Sequence, residues 1–435
     1  MSHVLDGRRA GVLCHVRSLP RSGVERFLDF LEAARIGLWQ VLPLNPPDRY
    51  GSPYSSSSLF AIDPELVDIR ESEDGVSGAT PAWLLDFGRF VAAQERLGGP
   101  WTRWPTPLRQ RRGPALAELD ATTRRLRGRI EAAQRQVARA WMRLKQAAND
   151  RGVLVMGDMP LYPAHDSADV WANSDLFELD VDGMPRELAG VPPDYFSASG
   201  QHWGNPVYRW PVHEASGFAW WRQRLDRQLD WFDVLRIDHF RGLEAFWAIP
   251  PDSPAAVGRW RAAPGGKLLD SLQPPVRDRL VAEDLGVITP AVEALRDRFA
   301  LPGMRVLQFA FDGAEDNPHL PANCPENAIM YTGTHDNDTS LGWFRSLGPA
   351  EQRRVGSAVG GGRADWPWPL IEAVLGSRAH TAIVPLQDFL GLGSRHRMNT
   401  PGTVAGNWRW QVDSDQLTAA LADRIRGLVI ASDRS

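Results

Sequence analysis

Short apolar or β-branched runs recur along the chain, with longer stretches of helical spacing between many of them. The runs are Gly11–Cys14, Leu38–Leu42, Val153–Met156, Phe232–Ile237, Arg279–Ala282, Arg305–Phe309, Ala328–Tyr331 and Ala382–Pro385. Each reads as a strand. Helical patterns cover Val24–Ala34, Arg129–Asn149, Phe218–Leu229, Pro290–Phe299 and Trp368–Leu375. Strands alternating with helices predict βαβ units and a parallel sheet. Eight such units predict a closed barrel. The expected fold class is therefore α/β: a (β/α)8 TIM barrel spanning residues 1–435 as one catalytic unit. The tail after the eighth strand has room for one helix, Asp415–Arg426, and not for a C-terminal β-sandwich.

Two connections are far longer than an ordinary crossover: Leu42 to Val153, and Met156 to Phe232. Connections that long carry function or structure of their own. They predict inserted subdomains at the barrel mouth, a helical one over residues 45–150 and a second over 158–230. The first holds an arginine-rich stretch, Arg103 to Arg143, broken by Glu118, Asp120 and Glu131. A solvated helix face accounts for it. The second is polar and rich in glycine, proline and aromatic residues.

Composition narrows the function classes. A chain of 435 residues, 43% hydrophobic and 23% charged, can bury a large core. A net charge of −4 argues against nucleic acid as a partner. The only lysines are Lys145 and Lys267, a bias attributable to a GC-rich genome. Cys14 and Cys324 cannot build a disulfide framework, and a reducing cytoplasm is the expected compartment. Met1 to Gly11 shows no apolar core of a secretion signal, and no apolar stretch approaches transmembrane length, so no membrane partner is expected. Tryptophan outnumbers tyrosine, 18 to 6. Flat indoles can pack a core or dock on sugar rings.

The chemistry lies in three acidic segments, each after a strand: Arg236-Ile237-Asp238-His239-Phe240-Arg241-Gly242, Ala282-Glu283-Asp284-Leu285-Gly286 and His335-Asp336-Asn337-Asp338. Carboxylates delivered from several strand ends are how such a barrel builds a site. Two carboxyls across one bond suit an enzyme that breaks and remakes glycosidic bonds: one attacks, the other donates and then accepts a proton. Arg236, two residues before Asp238 on the same face, is expected to hold that carboxylate ionised. Asp238 and Asp336 are expected to raise the pKa of Glu283 and keep it protonated. Asp336 is left to hold sugar hydroxyls, with His335 beside it. Asp336-Asn337-Asp338 lacks the downstream glycine and glutamate of a calcium loop, so no metal is expected. No phosphate-binding glycine loop or serine-hydrolase elbow is found.

At these motifs the chain resembles the amylomaltase family, the 4-α-glucanotransferases of the α-amylase clan. Further matches are Leu38-Trp39-Gln40-Val41-Leu42-Pro43-Leu44, Ser52-Pro53-Tyr54, Gly157-Asp158-Met159-Pro160 and Asp166-Ser167-Ala168-Asp169-Val170-Trp171. Gly190 to Phe196 and Gly200 to Pro206 resemble the family's mobile active-site loop, and Arg397-Met398-Asn399-Thr400-Pro401-Gly402 with Asn407-Trp408 its closing segment. The resemblance implies a retaining, double-displacement transfer of α-1,4-glucan segments between maltooligosaccharides, without cofactor. It implies that Asp238 is the nucleophile, Glu283 the acid/base and Asp336 the transition-state stabiliser. Substrate contacts implied in the same way are Tyr54, Asp158, Asp194, Tyr195, Phe196, Gln201, Trp203, Arg236, His335 and Asn337. The stretch over 158–230 is then an active-site lid.

The chain departs from the family at Val16-Arg17, in a shortened segment after Ser18-Leu19-Pro20, at Arg49-Tyr50-Gly51-Ser52 and around Glu71 to Gly113. These departures fall at the rim of the cleft. Two other readings stay open at this point: a hydrolase or phosphate-using relative of the clan, and a non-catalytic glucan-binding protein.

Overall fold

A computed structural model describes residues 3–68, 79–193, 199–360 and 365–434. The strands, in chain order, are β1 (Arg9–Leu13), β2 (Leu38–Gln40), β3 (Leu154–Met159), β4 (Leu188–Val191), β5 (Gln201–Pro206) and β6 (Val234–Ile237). There follow β7 (Ala245–Ile249), β8 (Arg259–Ala262), β9 (Leu280–Ala282), β10 (Gly303–Val306), β11 (Ala328–Tyr331) and β12 (Thr381–Pro385).

Eight of these strands form one sheet in the order β10-β11-β12-β1-β2-β3-β6-β9, and every adjacent pair is parallel. The Ala282 N–H donates to the Pro302 carbonyl at 2.9 Å, which brings β9 against the start of β10 and closes the ring. The protein is a (β/α)8 barrel, as the alternation of runs and helices predicted. Its strands bury side chains on both faces, so successive residues divide between two cores. Leu13, Leu38, Met156, Val234, Val281 and Ile329 fill the barrel interior. Val12, Trp39, Val155, Leu235, Leu280 and Met330 face outward into the helical layer.

This two-residue period positions the site. In β3 Met156 and Asp158 share the inward side, and in β6 Val234 and Arg236 do. Asp158 lies opposite Arg236, and Arg236 opposite Val281. Asp238 and Glu283 continue the inward rows one step past the ends of β6 and β9. Gly157 faces outward, where a Cβ would overlap the Phe232 ring.

Several boundaries differ from the sequence reading. The sixth barrel strand is Gly303–Val306, and Leu307–Phe309 is a single 3-10 turn. The helix expected over Arg129–Asn149 runs from Gly113 to Asp150, and it packs on an unanticipated helix, Ala82–Leu97. Arg89 on the shorter helix pairs with Asp120 on the longer one, and Arg111, just before the longer one, pairs with Asp86. The last helix starts at Ala419 because the Thr418 hydroxyl caps it, accepting from the Leu421 N–H at 3.2 Å. Among the described residues no strand follows β12, and no helix is long and apolar enough to cross a membrane.

The largest departure is a second sheet, antiparallel, in the order β5-β4-β7-β8. Two of its strands come from before β6 and two from after it. The segment over 158–230 therefore does not close on itself; residues 245–262 complete its sheet.

Gly157→Ala is expected to destabilise the fold by about 1–3 kcal/mol, because β2 and β6 hold β3 on both sides and the ring has nowhere to go. Urea unfolding of the two proteins checks this; equal midpoints would contradict the packing.

Candidate active site

Arg236 is the hub of the barrel mouth. Its Nη1 lies 2.7 Å from both carboxylate oxygens of Asp158 and 3.0 Å from Oδ1 of Asp238. Its Nε rests on the Met304 sulfur at 3.4 Å. The Tyr54 hydroxyl donates to Asp158 Oδ2 at 2.9 Å. Burial alone would lower the pKa of Arg236, but Asp158 and Asp238 raise it well above its ordinary value. Burial pushes the Tyr54 phenol up, so it stays a donor.

Asp238 is not simply held ionised by Arg236. Burial raises its carboxyl to about 6; Arg236 pulls it down and Asp158 pushes it up. The side chain keeps 28% exposure toward the cleft.

Glu283 lies beside it. Its Oε2 accepts from the His239 N–H at 2.7 Å, and its Oε1 from the Leu285 N–H at 3.0 Å. The Phe240 N–H donates to the Glu283 carbonyl at 3.1 Å. His239 takes a left-handed backbone with φ of 51° to aim these groups, a conformation unusual for a residue with a Cβ. Burial raises the Glu283 carboxyl to about 8, against the pull of Arg236 and with help from Asp238. Burial, rather than the two neighbouring carboxylates expected from the sequence, is the largest cause. The two acids straddle neutral pH.

Asp336 reaches the same cleft from the loop after β11. Asn399 Nδ2 donates to its Oδ1 at 2.6 Å, and Arg397 Nη2 to its carbonyl at 2.9 Å. His335 stacks on Tyr54 at 5.2 Å between ring centres, and Trp408 flanks both at 6.0 and 5.9 Å. Beneath this loop Asp388 is fully buried. It accepts from the Thr332 hydroxyl at 2.7 Å, and from the Ser340 N–H and hydroxyl at 2.7 and 2.6 Å. Thr332 and Ser340 bracket the segment that carries His335 and Asp336, so one carboxylate staples both ends of it.

These groups open on a cleft of about 450 Å³. Tyr54, Gln201, Trp203, Arg236, Asp238, Glu283, His335 and Asp336 all line it. Trp203, 36% exposed, stands edge-on to His239 at 4.8 Å, with its indole N–H on Gln201 Oε1. Asp158 and Asn337 are placed otherwise. Asp158 is fully buried and spent on Arg236 and Tyr54. Asn337 Oδ1 accepts from the Thr334 N–H and hydroxyl, closing the turn. Neither is among the residues that line the cleft. Asp194, Tyr195 and Phe196 lie outside the described residues. Sequence reasoning gave no role to Asn399, Arg397, Trp408, Arg241 or Trp260. The first four lie in quoted motifs, so the signal was present; nothing marked Trp260.

The arrangement can deliver a nucleophile and a proton to one bond, since the two carboxyls share one cleft and burial raises Glu283 further than Asp238. Such a pair at neighbouring strand ends of a (β/α)8 barrel defines the class of enzymes that act on glycosidic bonds. A family model described as 4-alpha-glucanotransferase matches residues 19–78 and 76–416. A 4-alpha-glucanotransferase of Thermus thermophilus is 42% identical, covering 98% of this chain and 99% of the relative. One from a Synechocystis species is 40% identical over 97% of each. Amylomaltase from Streptococcus agalactiae, solved in complex with acarbose, superposes with a TM-score of 0.92 at 30% identity, covering 98% of this chain and all of the other. The chain belongs to the 4-alpha-glucanotransferase family.

Asp388→Ala leaves three buried donors unmet and is expected to cost about 3 kcal/mol, with Asp388→Asn recovering part of it. Denaturant unfolding measures both; a wild-type midpoint for the alanine variant would show that the staple bears no load.

Proposed function

We propose that this protein is a 4-α-glucanotransferase that moves α-1,4-linked glucan segments from a donor maltooligosaccharide to another glucan or to glucose. The observation that carries the proposal is that Asp238 and Glu283, at the ends of adjacent barrel strands, line one cleft, with the N–H of the residue after Asp238 bound to the Glu283 carboxylate. Family membership supports the choice of substrate.

At neutral pH the Asp238 carboxylate attacks the anomeric carbon while Glu283 gives its proton to the departing glycosidic oxygen. The donor's reducing part leaves, and the segment stays esterified to Asp238. A hydroxyl of the acceptor then returns its proton to Glu283 and attacks the same carbon from the opposite side. Two inversions give net retention. Asp336, fixed by Asn399, holds hydroxyls of the reacting ring and faces its developing positive charge. Tyr54 and His335 stack beside that ring. Asp158 acts through Arg236 and Tyr54, by neutralising and orienting them.

Transfer in place of hydrolysis requires the ester to meet a sugar before water. Gln201 and Trp203 on β5 cover the acceptor side in this reading. Gly200, at φ of 72°, permits the turn into that strand. The helical segment over 45–150 and the lid over 158–230 serve as subdomains of a single catalytic unit. Two buried free cysteines suit a cytoplasmic enzyme.

Incubation with maltotriose tests the reaction: a ladder of shorter and longer oligosaccharides is expected, and glucose with maltose alone would mean hydrolysis. Asp238→Asn is expected to lose at least roughly a thousandfold in kcat while the protein still folds, at some cost in melting point from the weakened Arg236 contact. Retained turnover would remove Asp238 from its role. The rate needs Asp238 deprotonated and Glu283 protonated, so kcat/KM should rise through about 6 and fall through about 8. Asp158→Asn removes a charge that raises the Asp238 pKa, and should move the acid limb to lower pH. A limb that moves upward or stays in place would contradict the network.

A further inference from the structure

Trp260 lies on β8, one edge of the antiparallel sheet, and is cross-strand neighbour to Trp247. The Arg241 guanidinium sits over its ring, 3.6 Å from the centroid, and the Trp247 ring meets it at 5.0 Å and 64°. Arg241 is buried, and one of its guanidinium N–H groups holds the Val287 carbonyl. Its Nε is buried without a hydrogen-bond partner. Trp260 itself is 37% exposed and, with Arg241 and Val287, lines the cleft. A large indole clamped by a desolvated cation, yet left open to a substrate cleft, is a preorganised flat surface.

Its place relative to the acids fixes which part of a glucan it can meet. Tyr54, His335, Trp408 and Asp336 form one end of the cleft. Glu283 carries the proton of the leaving oxygen, so the leaving and acceptor sugars lie on its side. From Glu283 the chain runs through Leu285 and Gly286 straight to Val287, the anchor of Arg241. Arg241 is in turn three residues beyond Asp238.

We propose that Trp260, held by Arg241, is an acceptor-side platform for a glucose ring beyond the one that attacks. Trp260 is the specificity-determining residue and Arg241 positions it. The inference rests on the transferase reading above. A one-ring acceptor does not reach the platform; a longer acceptor stacks a ring on it.

The test compares kcat/KM for two labelled acceptors, glucose and maltotriose, with one unlabelled donor. In Trp260→Ala the maltotriose-to-glucose ratio is expected to fall roughly tenfold, about 1.4 kcal/mol, and Trp260→Phe should restore part of it. Arg241→Met should shift the ratio in the same direction. If Trp260→Ala melts early, Trp260→Leu keeps the apolar bulk without the flat face, and the same ratio decides. An unchanged ratio, or equal losses with both acceptors, overturns the platform while leaving transfer intact. Failure of the wild-type protein to transfer to either acceptor would instead remove the transferase reading itself.

Discussion

Arg236 is buried in the barrel mouth with its charge shared between Asp158 and Asp238. A desolvated cation with one partner removed is costly, so the three groups stand or fall together. The sharing also sets the chemistry. Both oxygens of the fully buried Asp158 lie against Nη1 of the guanidinium, and Tyr54 donates to one of them. Asp238 takes only one contact and keeps an edge open to the cleft. A carboxylate bound more fully would be a poor nucleophile, and one bound less would be protonated by its own burial.

The second acid depends on backbone geometry. Glu283 accepts two N–H groups and is still pushed upward, because burial outweighs the donors and the neighbouring Asp238 charge adds to it. The first of those donors is aimed by the left-handed conformation of His239; the second, the Leu285 N–H, comes from the loop after β9. The turn after β6 therefore does two tasks at once. It presents Asp238 to the cleft and supplies one of the two amides that hold the Glu283 carboxylate. The third acid is held differently, by a loop stapled at its base through Asp388 and at its tip through Asn399. Three carboxyls from three strand ends thus have three separate kinds of support.

Around these acids the cleft is built from elements distant in sequence. One of its walls is a four-stranded sheet drawn from both sides of β6, with Trp203 on one edge strand and Trp260 on the other. Its opposite wall joins Tyr54 to His335 and Trp408. The insertions are therefore bound to the barrel at both ends, and the cleft walls rest on the same framework as the acids.

The strand runs and the spacing of Arg236 from Asp238 were enough to predict the barrel and the row of inward groups. Both follow from periods of two residues along a strand, and such periods are local. The three acidic motifs were legible for the same reason, since each follows directly on a strand. Burial is not local. That Asp158 is consumed inside the wall, that Asn337 closes a turn, and that Asp238 is raised rather than held low depend on what surrounds each group in space. So does the pairing of β4 with β7 and of Trp247 with Trp260, which joins segments on either side of a barrel strand. Sequence determined which side chains point into the barrel; only the tertiary structure decided how much water and which partners each would keep, because desolvation sums over neighbours the chain brings from everywhere else.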